Sequence, residues 1–232
     1  MYTLRHRPRH DLIELDGLSR STPMSDTLPI VFVVDDDISI RESLEALIQD
    51  AGWQPEIFAS AELFLSRPEV PTPSCLLLDV NLPDLNGLDL QKLIASDRID
   101  MPIIFITGHA DVPMTVQAMK AGAVEFLTKP FQDDVLLAAI RQALERSRIA
   151  LDNMLEAQTL HDSYASLSRR EREVMALVVS GLMNKQVGGE LGISEITVKA
   201  HRGRVMRKMK AKSLADLVNM NASLSKTSGP WS

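Results

Sequence analysis

The sequence predicts an α/β protein: a doubly wound sheet of five parallel strands, joined by a helical linker to an all-α domain. Three observations carry this expectation. Short apolar runs bounded by turn residues alternate with helical periodicities from Ile30 to about residue 145, the rhythm of a parallel sheet covered by helices on both faces. From Leu167 onward the apolar spacing is helical throughout. The charge divides at the same place, with 7 Lys and Arg against 19 Asp and Glu over residues 29–145, and 12 against 5 over residues 166–232.

The elements follow in order. Ile30 to Val34 is a buried strand, and Ile38 to Asp50 a helix with Ile40, Leu44, Leu47 and Ile48 on one face, ending at Gly52. Gln54 to Phe58 is the second strand, and Ser60 caps a short helix carrying Leu63, Phe64 and Leu65. The third strand, Cys75 to Asp79, stops at a carboxylate; the turn Leu82 to Asn86 leads to a helix from Gly87 through Leu90, Leu93 and Ile94. Ile103 to Thr107 is the fourth strand, followed by a helix from Asp111 or Val112 to Lys120 that Gly122 stops. Val124 to Leu127 is the fifth, and the last helix of this domain, residues 29–145, begins near Gln132.

Neither Gly nor Pro occurs between Pro130 and Gly181, and Leu137, Ile140, Leu144, Ser147, Leu151 and Met154 recur at spacings of three and four. One reading continues the helix as a linker, residues 146–165, to roughly His161, with pairing to a second copy as an option. The other lets Leu136 to Leu144 cover the sheet and leaves a frayed connector. Residues 166–225 form the helical domain: Ser168 with Glu171 three positions on makes a capping-box spacing before Val174, Met175, Leu177 and Val178. Asn184 to Leu191 and Ile196 to Met209 are the next helices, and Ser213 caps a last one bearing Leu214, Leu217 and Val218. Residues 1–28 read as a flexible arm and 226–232 as a disordered tail. Met24 precedes the first strand, so residues 1–23 read as an upstream extension.

With 45% hydrophobic and 24% charged residues the composition is ordinary for a globular chain. The single cysteine, Cys75, lies in an apolar run, which excludes an internal disulfide framework and a Cys-based zinc site. No apolar run approaches the ~20 residues that cross a bilayer, and the N-terminal cluster Arg5, His6, Arg7, Pro8, Arg9 and His10 is followed by Asp11, Glu14 and Asp16 instead of a signal-peptide core. The expectation is a cytoplasmic protein with no membrane partner. The net charge of −6 conceals an acidic body and a basic C-terminal domain, for which nucleic acid is the first partner to consider.

Parallel strands bring their carboxyl ends to one edge, where open α/β sheets place their chemistry. There this sequence puts Asp35 and Asp36 after strand one, Asp79 after strand three, Thr107 after strand four and Lys129 just past strand five. Three carboxylates held together repel one another unless a cation intervenes, and a hard ion with oxygen ligands and retained waters fits Mg²⁺. Asp79 could then act as a carboxylate nucleophile that accepts a phosphoryl group. Lys129 would neutralise the transferring oxygens, and the Thr107 hydroxyl could bond one of them.

Residues 29 to about 145 resemble the receiver domain of bacterial two-component response regulators, a flavodoxin-like fold, through VVDDD (Val33 to Asp37), LLLDVNLP (Leu76 to Pro83), ITG (Ile106 to Gly108) and FLTKPF (Phe126 to Phe131). The resemblance implies Asp79 as phosphoacceptor and Asp35 and Asp36 as the acidic pair on Mg²⁺, with a main-chain carbonyl of Asn81 as a further ligand. It implies a cis bond between Lys129 and Pro130, and Phe126 as an aromatic that swings inward when Thr107 moves.

The third C-terminal helix carries Lys199, Arg202, Arg204, Arg207, Lys208 and Lys210, with Glu195 the only acid near its start. A basic helix after a short helix and turn fits insertion into the major groove. Lys199 and Arg202 are candidates for base edges or phosphates, and Arg204, Arg207 and Lys208 for phosphates. Residues 166–225 resemble the LuxR-type helix-turn-helix of the FixJ/NarL class through LSRREREVMALVVSG (Leu167 to Gly181), NKQVGGELGIS (Asn184 to Ser194) and TVKAHRGRVMRKM (Thr197 to Met209), which adds Thr197 and His201 to the candidate DNA contacts. Gly188 and Gly189 occupy a helix where the family usually has at least one alanine, an expected loosening of roughly 0.5–1 kcal/mol per glycine. Gly203 stands where some relatives present a base-reading side chain.

Together these resemblances imply a phosphorylation-dependent transcriptional regulator, not an enzyme in the usual sense. A sensor histidine kinase would phosphorylate Asp79, and the helix from Val112 to Lys120 with the adjoining strand would drive homodimerisation or release the DNA-binding domain onto promoter DNA. Two other readings remain at this point: a Mg²⁺-dependent phosphohydrolase with the C-terminal helices as a cap, and a DNA-binding protein whose receiver no longer signals.

Overall fold

A computed structural model describes residues 28–227 apart from 69, 98–100 and 110. The expected arm, except Leu28, and the tail from residue 228 lie outside these residues.

The first domain interleaves β1 (Ile30–Val34), α1 (Ile38–Asp50), β2 (Gln54–Phe58), α2 (Ala61–Leu65), β3 (Ser74–Asp79), α3 (Gly87–Asp97), β4 (Ile103–Thr107), α4 (Val112–Lys120) and β5 (Glu125–Thr128). The strands form one sheet in the order β2-β1-β3-β4-β5, parallel at every pairing. Because both faces are covered, β1, β3 and β4 are buried along their whole length, which is why they read as unbroken apolar runs. Alternate residues go to opposite faces. Phe32, Leu76, Leu78 and Phe105 pack with Phe64, Leu90 and Ile94 from α2 and α3. Val31, Val33, Cys75, Leu77, Ile104 and Ile106 pack on the other face with Leu44 and Ile48 of α1 and with the helix that follows β5. β2 and β5 are the edge strands, and Pro55 of β2 lacks an N–H at a position where that costs little.

Three strand limits differ from expectation by one residue, the start of β3 and both ends of β5, which closes at Thr128. Ser74 begins β3 and is buried there. Val124 lies before β5: it hangs its N–H on the Ile103 carbonyl oxygen at 2.8 Å while the pairing register begins at Glu125.

The helix after β5 is a single one, α5 (Asp133–Ala165, 33 residues), and runs four residues past His161. Its first half buries Leu136, Ala139, Ile140, Ala143, Leu144 and Ser147. The Ser147 hydroxyl accepts the Ser74 N–H at 3.0 Å, so the last buried turn is fastened to the start of β3. Where α5 leaves the sheet, Arg148 bridges Glu145 and Asp152 on its surface, and Met154 is exposed. Its final turns regain a core: Leu160 and Tyr164 pack with Leu167, Met175, Val205, Met209 and Leu217. The frayed connector is thereby replaced by a helix packed at both ends, buried along its first half and partly buried at Leu160 and Tyr164.

The second domain comprises α6 (Arg169–Val179), α7 (Asn184–Leu191), α8 (Glu195–Lys208) and α9 (Leu214–Thr227). The capping box forms as the spacing predicts: the Ser168 hydroxyl accepts the Glu171 N–H, and the Glu171 carboxylate accepts the Ser168 N–H. Gly192 ends α7 at φ +64, and the Ser194 hydroxyl accepts the Thr197 N–H to open α8. Val174, Val178, Val187 and Val198 form the core under α7 and α8. Helix α9 continues through residue 227, two residues into the expected tail.

One glycine expectation changes. A Cβ at Gly188 would stand 2.8 Å from the Ile193 carbonyl oxygen, and the Ile193 N–H donates to the Gly188 carbonyl at 3.0 Å. Glycine is what lets the turn close so tightly on α7, so the loosening argument holds for Gly189, which faces open space, and fails for Gly188.

Candidate functional site

Two of the five strand-end residues, Asp35 and Asp79, converge on the ammonium of a third, Lys129. Lys129 Nζ donates to Asp35 Oδ2 at 2.6 Å and to Asp79 Oδ2 at 2.9 Å. Asp35 is fully buried and Asp79 nearly so, while Asp36 beside them is exposed. One oxygen from each of Asp35, Asp36 and Asp79 lies within 4.8 Å of the others. The remaining carboxylate oxygens are held by backbone: Asp35 Oδ1 accepts the Asp37 N–H at 2.9 Å, and Asp79 Oδ1 accepts the Asn81 N–H at 3.1 Å. Arg41 donates to the Asp35 carbonyl oxygen at 2.7 Å, a contact the sequence did not suggest.

The chain arranges this by simple means. β1, β3 and β4 end together because their register is parallel, and the Lys129 N–H donates to the Thr107 carbonyl oxygen at 2.8 Å, bringing the residue after β5 to the same edge. The cis bond expected between Lys129 and Pro130 is present.

Electrostatically the site is overcharged with carboxylate. Burial raises the Asp35 pKa; the hydrogen bond from Lys129 opposes this without cancelling it, and the nearby Asp79 charge adds to the rise. Lys129 loses solvation too, but its hydrogen bonds to Asp35 and Asp79 outweigh that and hold its pKa above the ordinary lysine value. Three carboxylates against one ammonium leave two negative charges, and all the donors are hard oxygens. The cluster could therefore hold a divalent cation, with the exposed Asp36 side open to water ligands.

Thr107, the fifth residue, is fully buried. Its hydroxyl donates to the His109 carbonyl oxygen at 3.1 Å and accepts from the His109 N–H and from Asn81 Nδ2, each at 3.3 Å. It thus closes the β4–α4 loop on itself, a partnership that residue spacing cannot reveal. Phe126 is half-buried with its ring 5.8 Å from that of Phe105.

The second candidate surface lies on α8. Val198 and Val205 face the core, and Ile196, Lys199, Ala200, Gly203, Arg204 and Arg207 are exposed. Lys199 makes a surface ion pair with Glu195 at 3.2 Å. Arg204, Arg207 and Lys208 line a cleft of about 300 Å³, a cationic seat for an anion. Two of the basic candidates are engaged within the domain: Arg202 donates to Asn184 Oδ1 of α7 at 3.2 Å, and Lys208, although it borders the cleft, donates to Glu171 and Ser166. Thr197 and His201 are half-buried; the Thr197 hydroxyl lies 2.8 Å from that of Ser194, and His201 Nδ1 is enclosed without a hydrogen-bond partner.

Comparison with known proteins matches both domains. The response regulator receiver domain model matches residues 31–141, and the model of bacterial regulatory proteins of the luxR family matches residues 165–221. Nodulation protein W of Bradyrhizobium diazoefficiens is 52% identical over 198 residues, 85% of this chain and 87% of that protein. Transcriptional regulatory protein FixJ of the same species is 41% identical over 190 residues, 82% and 93% of the two chains. The solved structure of response regulator StyR matches with a TM-score of 0.78 and 45% identity, covering 84% of this chain and 99% of that one. With the acidic crevice in one domain and the basic helix in the other, the chain belongs to the two-component response regulators of the FixJ/NarL class, transcriptional regulators that join a receiver to a luxR-family DNA-binding domain.

Proposed function

We propose that Asp79 accepts a phosphoryl group from a sensor histidine kinase and that this event controls homodimerisation and promoter binding through α8. The observation that carries the reading is Lys129, held between Asp35 and Asp79 at 2.6 and 2.9 Å beside a three-carboxylate cluster. Such an arrangement suits a carboxylate that must receive three more anionic oxygens.

An Asp79 oxygen forms the new O–P bond as the P–N bond of the donor phosphohistidine breaks, its electron pair remaining on the imidazole nitrogen. A Mg²⁺ held by Asp35, Asp36, Asp79 and the Asn81 carbonyl would neutralise charge on the transferring oxygens. Lys129, already on Asp79, follows that charge as a second cation. The Thr107 hydroxyl turns from the His109 carbonyl to a phosphoryl oxygen, which frees the β4–α4 loop and gives Phe126 room to move inward beside Phe105. Helix α4 then changes its presentation, and its exposed Val112, Val116 and Met119 provide, with β5, the surface on which two copies meet.

On the DNA side, Lys199, Arg204 and Arg207 hold phosphates or base edges, with Thr197 and His201 at the margin of the same helix. A protein working on promoter DNA in this way acts in the cytoplasm, and we assign it no turnover of free substrates.

The test is incubation of the full chain with acetyl phosphate and Mg²⁺, followed by sizing and DNA footprinting. Uptake of one labile phosphate, a shift to dimer and a stronger footprint are expected, all absent in Asp79→Asn. Label persisting on Asp79→Asn would refute the assignment of that residue.

A further inference from the structure

We propose that Ile196 reads the operator directly, by packing its side chain against the C5-methyl group of a thymine in the major groove. The inference rests on the reading of α8 as the helix that faces DNA.

A lone exposed apolar residue is ordinary on a protein surface, but this one differs in three respects. Ile196 is 80% exposed, the highest value among the exposed large apolar side chains described. It is the second residue of α8, in the first turn, and helix-turn-helix proteins aim the N-terminal residues of the second helix at base edges. Its face is also defined. At 100° per residue, Ile196, Ala200, Gly203 and Arg207 fall within about 60° of one another, opposite the buried Val198 and Val205.

The neighbours on that face explain how an isoleucine could reach the groove floor. Ala200 and Gly203 are small, and a Cβ built on Gly203 meets nothing within 4 Å. The helix can therefore sink at its N-terminal turns until Ile196 touches the bases, while Lys199 and Arg204 flank the strip with positive charge toward the two backbones and Arg207 closes its C-terminal end. The thymine methyl is the apolar group that the major groove offers, and side chains of this kind recognise it by contact. An isoleucine has no donor or acceptor with which to read any other base, so its preference follows from its chemistry. Glu195, the other exposed side chain in that first turn, is paired with Lys199 at 3.2 Å.

The experiment uses the full-length, acetyl-phosphate-treated chain and a duplex selected by the wild type from a randomised library. Each dT of that duplex is replaced in turn by deoxyuridine, which lacks only the methyl group. The wild type should lose about fourfold in affinity at one position per half-site, the value of one buried carbon. Ile196→Ala should bind the thymine duplex more weakly and be indifferent to that replacement, and Ile196→Val should fall between. Because the side chain is exposed, Ile196→Ala should melt like the wild type, so weaker binding reports on contact. The proposal is overturned if Ile196→Ala keeps wild-type affinity and the wild-type deoxyuridine profile. It is likewise overturned if the variant loses affinity equally for selected and random duplexes, or loses only transcriptional activation, which would make Ile196 a protein contact. Lys199→Ala and Arg207→Ala distinguish the levels of failure: if they weaken binding while Ile196→Ala does not, only the methyl contact falls; if none does, the assignment of α8 falls with it.

Discussion

Lys208, at the end of α8, donates hydrogen bonds to the Glu171 carboxylate at 2.7 Å and to the Ser166 carbonyl oxygen at 2.9 Å. One ammonium thus joins α8 to the first turn of α6 and to the residue that caps α5. Glu171 is 4% exposed and also accepts the Ser168 N–H, and these bonds, that of Lys208 first, hold its pKa down at about 2. A cation that the sequence offers as a DNA contact is therefore a strut, and the long helix leaving the receiver ends on it.

Removing the strut should leave a nearly buried carboxylate without its cation. Lys208→Met is expected to destabilise the C-terminal domain by roughly 1.5–3 kcal/mol, the range for hydrogen bonds to charged groups. The pH dependence has a definite sign. Glu171 has a folded pKa below its unfolded value near 4.5, so its contribution is complete above that value and is lost as pH falls toward about 2. Denaturation of wild type and Lys208→Met should therefore give a full gap at neutral pH that narrows through this acid window. A gap as wide at pH 2.5 as at pH 7 would remove Glu171 as its cause.

The two glycines of α7 should respond in opposite directions. Gly189→Ala meets open space and should stabilise the domain by about 0.5–1 kcal/mol, because alanine has less backbone freedom to lose. Gly188→Ala drives a methyl to 2.8 Å from the Ile193 carbonyl, and the shift of the turn should cost roughly 1–3 kcal/mol. Thermal melting of the two variants decides this, and the reverse order would mean that the turn relaxes freely.

Much of this was legible in the sequence, for identifiable reasons. The runs Ile30–Val34, Cys75–Leu78 and Ile103–Ile106 are apolar throughout because both faces of the sheet are covered, and parallel register then forces Asp35, Asp79 and Thr107 to one edge. Hidden were the contacts set by tertiary neighbours. Lys208 meets a residue 37 positions earlier and Arg202 one 18 positions earlier, so composition alone counts both as free basic residues on the helix. The Thr107 hydroxyl closes on the His109 carbonyl, a local turn that the Thr-Gly pair leaves undefined. A search for cations on α8 also passes over Ile196, whose exposure depends on which way the helix rolls. The length of α5 was open because its middle turns have no core; what decides it is Leu160 and Tyr164, which find one in the second domain.

In the receiver, burial has raised the Asp35 pKa, and the consequence runs opposite to that for Glu171. A carboxyl with a raised folded pKa binds more protons folded than unfolded, so in the metal-free protein its effect on stability worsens as pH rises through the interval between the two values. Asp35→Asn removes that buried charge. In the absence of divalent ions it should raise the unfolding free energy by on the order of 1 kcal/mol, while weakening Mg²⁺ binding followed by calorimetry. Wild-type Mg²⁺ affinity should fall on acidification from a higher pH than an ordinary aspartate would give. If Asp35→Asn destabilises the metal-free receiver, Lys129 is gaining more from Asp35 than burial costs.

The division of α8 into engaged and free cations has its own measurable consequence. Each phosphate neutralised by a Lys or Arg contributes about 0.9 to the slope of log affinity against log salt. Arg204 and Arg207 are exposed and line the cationic cleft, so Arg204→Ala and Arg207→Ala should each lower that slope by about 1 per subunit and weaken binding to specific and random duplexes alike. Lys208→Met and Arg202→Ala remove charges committed to Glu171 and Asn184. Their slopes should stay near wild type, with any loss of affinity tracking the loss of fold and recovering at lower temperature. Titrations of the four variants across a range of salt concentrations separate the two pairs. A slope reduced by a full unit in Lys208→Met would mean that its ammonium leaves Glu171 for a phosphate when DNA binds, and the strut would then be a feature of the free protein alone.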